Sequence, residues 1–222
     1  MLADELYVTP SQSHPQEATP TISSSHNLLF GSLSGSINLE MLRPPAFQIP
    51  LYWQLYIENV DAVYKFLHKP SIEKIIRMVS YSETALSPSN EALLFAIYFA
   101  VITSMSVEKV QTTFQDNKDR LLSRYRCGLE RALGHAGLLN TQELSTLQAF
   151  VLLIICARRN DDSRTVWALV GLATRLAIGM GLQHDGTKFK ISPLETEMRR
   201  RLVCEFSNTL ALLVFYQANT FN

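Results

Sequence analysis

From Leu51 onward, apolar side chains recur every three or four positions, and that spacing predicts helices throughout. Leu51, Leu55, Val60, Val63, Phe66 and Leu67 keep near one face, and Pro70 is expected to end the run. Ser71 then caps a short helix carrying Ile72, Ile75, Ile76 and Val79. Ser87-Pro88-Ser89-Asn90 is a breaker followed by a cap, and it opens a helix over about 90–105 that is apolar nearly all round. A helix without a polar face belongs at the centre of a fold. Residues 107–133 read as one long helix with a polar surface. Its inner stripe is Phe114, Leu121, Leu122, Tyr125, Leu129, Ala132 and Leu133, and Gly134 and Gly137 end it.

Asn140-Thr141-Gln142-Glu143 has the form of a capping box and starts a buried helix through Cys156. Asp161, Asp162 and Ser163 place acidic and capping oxygens at the next N-terminus. That helix carries Leu169, Leu172, Ala173, Leu176 and Met180, and Gly179 and Gly181 stop it. Ser192-Pro193-Leu194-Glu195 is the clearest start signal in the chain, with Leu194, Met198, Leu202, Phe206, Leu210 and Leu213 following along one side. Short alternating strand patterns are absent. The fold class expected is therefore all-α, an irregular bundle of about seven helices. Residues 1–46 are rich in Ser, Thr, Pro, Gln and His, too polar to offset their ordering entropy, and predict a disordered arm ahead of a folded part over 47–222.

Composition narrows the picture in three ways. An apolar content of 47% in 222 residues is enough for a substantial core. A charged content of 18% is low, which suggests that some surface is covered by further chain or by a partner. Twenty basic and twenty acidic residues give no net charge, so no global basic face calls for nucleic acid. The longest apolar stretch, Ala92 to Met105, falls short of the roughly 20 residues a membrane-spanning helix needs, and the N-terminus lacks a secretory pattern. A soluble intracellular protein with no membrane partner is the expectation. Cys127, Cys156 and Cys204 stand far apart, without metal-ligand spacing, and are expected to be buried thiols.

Candidate chemistry is sparse. His184-Asp185 has the form of half a metal-phosphohydrolase signature, for which His68 or His135 would have to supply further ligands. It is better read as the turn leaving a helix. Asp161-Asp162 resembles the acidic pair of helical prenyl-transfer enzymes but lacks the third carboxylate, and reads as helix-start acid. Arg199-Arg200-Arg201 spans about 200° of helical arc beside Glu195 and Glu197, which favours a solvated face with intrahelical pairs. Arg175 sits near the edge of an apolar stripe, where its stem can pack on the core while its head pairs with an acid on a neighbouring helix. Arg175, His184 and Arg200 are the candidate structural or effector-contact positions. No glycine-rich phosphate loop or nucleophile turn is present, so no catalytic, DNA-binding or metal residue is assigned.

Four stretches in order carry a family resemblance: LYWQLYIENVDAVYKFLHKPS, STLQAFVLLIICA, WALVGLATRLAIGMGLQHDG and SPLETEMRRRL. Together they resemble the middle homology region of fungal zinc binuclear-cluster transcription factors, over about 51–202. The resemblance implies a helical regulatory domain of a nuclear transcription regulator, one that modulates activity through an effector or a protein partner, possible homodimerisation included. It also implies that DNA contact and zinc belong to a separate N-terminal module with six cysteines. The arm before Leu51 contains no Cys, so no cofactor is expected in this chain, and neither is enzymatic activity. Residues 203–222 depart from the family pattern, and the chain is expected to be a truncated version of the complete factor. Two alternatives remain open: a helical metal-dependent hydrolase built on His184, Asp185 and His68 or His135, and a truncated interaction protein that dimerises.

Overall fold

The structure is a computed structural model that describes residues 38–81, 86–160, 163–184 and 191–220. Among these residues the chain is all-α, as the periodicity predicts, with no strand. The helices are α1 (Leu39–Leu42), α2 (Ile49–Asn59), α3 (Lys69–Tyr81), α4 (Pro88–Ser104), α5 (Val107–Phe114), α6 (Lys118–His135), α7 (Leu144–Asn160), α8 (Ser163–Gly179) and α9 (Pro193–Thr220).

Helix α4 is the axis. Every residue from Ala92 to Ile102 is at most 3% exposed. Its start follows from Ser87, whose Oγ accepts the Asn90 N–H at 3.3 Å, and from Pro88 at the first position. Helices α2, α6 and α7 surround it, so an all-apolar helix finds a dry partner on each side. Each large side chain buried there contributes roughly 1.5–3 kcal/mol. The outer layers are α3 on α2 and α8 on α7, and α9 leans on both α7 and α8. The expected start at Ser192 is present, its Oγ accepting the Glu195 N–H at 3.1 Å. Gly137 and Gly181 take the left-handed conformation (φ 63° and 71°) that lets the chain leave α6 and α8.

Several boundaries differ from the sequence expectation. The run from Leu51 ends at Asn59, and Pro70 opens the next helix instead of closing the previous one. In the first turn of α3 its missing N–H costs nothing, and the His68 carbonyl accepts the Ser71 and Ile72 N–H groups. The single helix expected over 107–133 is broken. Gln115 is left-handed (φ 53°), and Asn117 caps α6 by accepting the Asp119 and Arg120 N–H groups at 2.8 and 3.3 Å. A polar Gln-Asp-Asn run offers the backbone side-chain partners that compete with helix continuation. The break also lets Phe114 stack on Tyr52, with ring centroids 4.6 Å apart. Helix α7 begins at Leu144, one turn later than the capping box suggests; Thr141 Oγ1 accepts the Glu143 N–H, while Asn140 closes a 3-10 turn.

The arm expected over 1–46 is described only from Asn38. From Asn38 on, α1 and the following residues are folded against the bundle. Residues 1–37 lie outside the described part. Of the cysteines, Cys156 is buried as expected, and burial pushes its thiol up to about 12. Cys127 is half-buried, and Cys204 is exposed because it lies on the outward side of α9.

Candidate functional site

The three candidate positions lie around α8, the turn that follows it, and the start of α9, but they do not converge. Helix α8 rests on α7 through Val166, Val170 and Ala173, whereas Leu169, Leu172 and Leu176 are only half-buried. Arg175 is exposed and has no ion-pair partner among the described residues. The neighbouring-helix carboxylate expected for it is not found there. At 100° per residue, Arg164, Trp167, Ala168, Gly171, Arg175 and Ile178 share about 100° of arc, all of them solvent-facing. Trp167 and Ile178 are 51% and 54% exposed. Periodicity could not choose this face, because α8 is apolar on both sides and carries no Asp or Glu.

His184 sits in the turn after α8, exposed, its N–H donating to the Gly181 carbonyl at 3.1 Å. Asp185 lies outside the described residues, as do Asp161 and Asp162. His68 Nδ1 is 2.8 Å from Ser71 Oγ, and His135 ends α6, so each is placed by local helix-end geometry. Among the described residues no group of three or more His, Cys, Asp or Glu side chains is arranged to hold a metal ion. No helix there is long and apolar enough to cross a membrane.

The arginine run divides its labour. Arg200 is exposed and pairs with Glu197 at 3.5 Å, and Arg201 meets the same carboxylate at 2.8 Å. Arg199 points inward. It donates to Glu195 at 2.8 and 3.1 Å and to the Met180 carbonyl at 3.3 Å, tying α9 to the end of α8. The basic run thus serves one interhelical contact through a member the sequence reading did not single out.

Other polar positions were also missed. Gln148, buried in α7, donates through Nε2 to the Phe66 carbonyl at 2.8 Å. That bond holds the turn between α2 and α3 against the core. Gln148→Leu keeps the volume but leaves a buried carbonyl unpaired, and a loss of about 1–3 kcal/mol is expected in denaturant unfolding. An unchanged midpoint would show that the carbonyl finds another partner. Arg124 of α6 donates to the Met41 and Leu42 carbonyls at 3.0 Å and also to that of Arg43. Arg43 in turn pairs with Glu91 of α4. Beneath them lie Tyr52, Tyr98 and Tyr125, with ring centroids 5.1–5.6 Å apart. The Tyr52 and Tyr125 hydroxyls are hydrogen-bonded at 2.8 Å, whereas the buried Tyr98 hydroxyl has no partner among the described residues. Burial raises the pKa of all three phenols, and also that of Tyr56. Nothing short of knowing which helices adjoin would reveal these residues, because their partners lie some eighty positions away.

The described residues therefore offer a packed helical body with an open α8 face and buried polar locks. Comparison with known proteins accounts for such a body. Residues 51–206 match the model of the fungal specific transcription factor domain. The transcriptional regulator AacuB of Aspergillus aculeatus is 32% identical over 192 residues, which is 82% of this chain and 26% of that protein. The aurofusarin cluster transcription factor aurR2 of Gibberella zeae is 34% identical over 207 residues, 90% of this chain and 31% of that protein. The C6 finger domain transcription factor adaR of Aspergillus niger is 37% identical over 154 residues, 67% of this chain and 19% of that protein. The chain thus spans between about a fifth and a third of the length of these relatives. No solved structure matches. With the domain model covering more than half of the sequence and relatives above 30% identity, this chain belongs to the fungal specific transcription factor domain family.

Proposed function

We propose that this chain is the regulatory body of a nuclear transcription regulator and works through protein contacts, without turnover of a substrate. DNA recognition and zinc belong, on this reading, to a separate cysteine-rich module of the kind that the name C6 finger denotes in relatives. One observation carries the reading: the outward face of α8 presents Trp167, Ile178, Arg164 and Arg175 to solvent without an acidic neighbour in that helix. A half-exposed tryptophan between guanidinium groups that have no ion-pair partner among the described residues suits an acidic amphipathic segment of a partner, since aromatic and arginine side chains dominate contact energy at such surfaces.

The test fuses the chain to an unrelated DNA-binding module in a fungal reporter strain. Trp167→Ala combined with Arg175→Glu is expected to change reporter output by about tenfold or more, the loss of roughly 1.4 kcal/mol or more of contact energy. Helix content and melting temperature should be unaffected. Equal output from this variant and from Glu73→Ala on α3 would remove α8 as the contact surface.

A further inference from the structure

Residues 38–48 are attached to the bundle differently from the helices that follow. Only Pro44 is buried in this stretch. Leu39 and Leu42 are half-buried against the core, while Met41 and Phe47 are 73% and 78% exposed. The attachment is mainly polar. Helix α1 has a single turn, started by Asn38, whose Oδ1 accepts the Glu40 N–H at 3.0 Å. The carbonyls at the end of so short a helix have no partner within it. Those of Met41, Leu42 and Arg43 converge on one guanidinium, that of Arg124. This guanidinium also lies 5.8 Å from the centroid of the Tyr125 ring. A planar fork with several donors suits three successive carbonyls, and a lysine ammonium does not. Arg43 adds the ion pair to Glu91, and both charges act on Tyr98.

We infer that residues 38–48 form a strap latched by Arg124, one that opens as a unit while the bundle stays folded and so admits water to Tyr52, Tyr98 and Tyr125. Few buried apolar contacts and a polar attachment place a segment at the low end of local stability. This device does not depend on the α8 face.

Native-state hydrogen exchange on the full chain tests it, read at the Met41 and Arg43 amides, which bond to the Asn38 and Glu40 carbonyls. The α4 amides serve as the reference. Nitration of tyrosines by tetranitromethane, mapped by mass spectrometry, is the second readout. Arg124→Ala is expected to speed exchange at Met41 and Arg43 by about tenfold or more, with α4 within about twofold of the parent. Nitration of Tyr98 and Tyr125 should accelerate by a similar factor, and Arg124→Lys should fall between the two. The inference is overturned if α4 amides accelerate with the strap, or if the strap amides do not respond. Faster strap exchange with unchanged nitration rejects the claim that the strap covers the tyrosines. Should Arg124→Ala not fold, the parent in low denaturant decides. Strap amides that exchange independently of denaturant support the device, and strap amides that follow the global unfolding curve overturn it.

Discussion

Carrying the protein above the ordinary phenol value of 10.0 is expected to unfold it cooperatively through the ionisation of Tyr52, Tyr56, Tyr98 and Tyr125. These are four of the eight tyrosines in the chain. Burial is the first cause of each raised value, because a phenolate in the apolar interior loses its hydration. Below the unfolded value both states hold the proton, and stability is complete. Above it the unfolded chain releases protons that the folded chain retains, so stability falls until the folded value is passed. Each group withdraws up to about 1.4 kcal/mol per pH unit between its unfolded and its folded value, so several acting together withdraw a few kcal/mol per pH unit. A domain has roughly 5–15 kcal/mol in total. The Cys156 thiol, raised from 9.0 to about 12, acts in the same direction and begins earlier. Circular dichroism and phenolate absorbance recorded together check this. Tyr56 is expected to ionise together with the loss of the helical signal, within about one to two pH units above the phenol value, whereas Tyr52, Tyr98 and Tyr125 ionise as early as the strap opens. A helical signal that persists after every phenol has ionised would overturn the expectation. Tyr98→Phe, which removes a buried hydroxyl that has no partner among the described residues, is expected to move the transition to higher pH.

Gly128→Ala is expected to destabilise the protein by about 2 kcal/mol, and Gly128→Val by more, because both overpack the seam between α4 and α6. On an exposed helix the first of these changes normally gains up to about 1 kcal/mol. Gly171, with nothing within 4 Å of the position a Cβ would take, is the control that should show that gain. At Gly128 the Cβ would lie 2.5 and 2.6 Å from two atoms of the Phe95 ring. Phe95 is itself 1% exposed and meets the edge of Tyr98 at 5.9 Å, so its ring has little room to move. Thermal unfolding of both variants gives the comparison. A Gly128→Ala protein as stable as its parent would mean that the seam can relax. Combining Gly128→Ala with Phe95→Leu should recover part of the loss, and the non-additivity measures the clash.

The candidate site was less legible than the fold. Residue type and place in the four family-like stretches single out Arg175, His184 and Arg200, and the structure leaves them on separate exposed positions. Gln148 lies within one of those same stretches, yet its role depends on the turn ending near Phe66. Arg124 is one of several arginines along α6. Only the arrival of α1 against that face distinguishes it from the others.

What the sequence determined by itself is what depends on neighbours within about one helical turn. This includes the all-α class, the start at Ser192-Pro193, the glycine exits at Gly137 and Gly181, and the burial of α4, whose apolar surface leaves it no wet side. The tertiary structure decided whether Pro70 closes or opens a helix, that the chain breaks at Gln115 so that Phe114 can cover Tyr52, and which side of α8 faces water. It also decided that residues from Asn38 are folded, through one guanidinium on α6. Helix propensity and capping are short-range and repeat along the chain, so they can be read from it. A buried hydrogen bond or an aromatic stack between residues far apart in sequence exists only once packing has brought the partners together and excluded water.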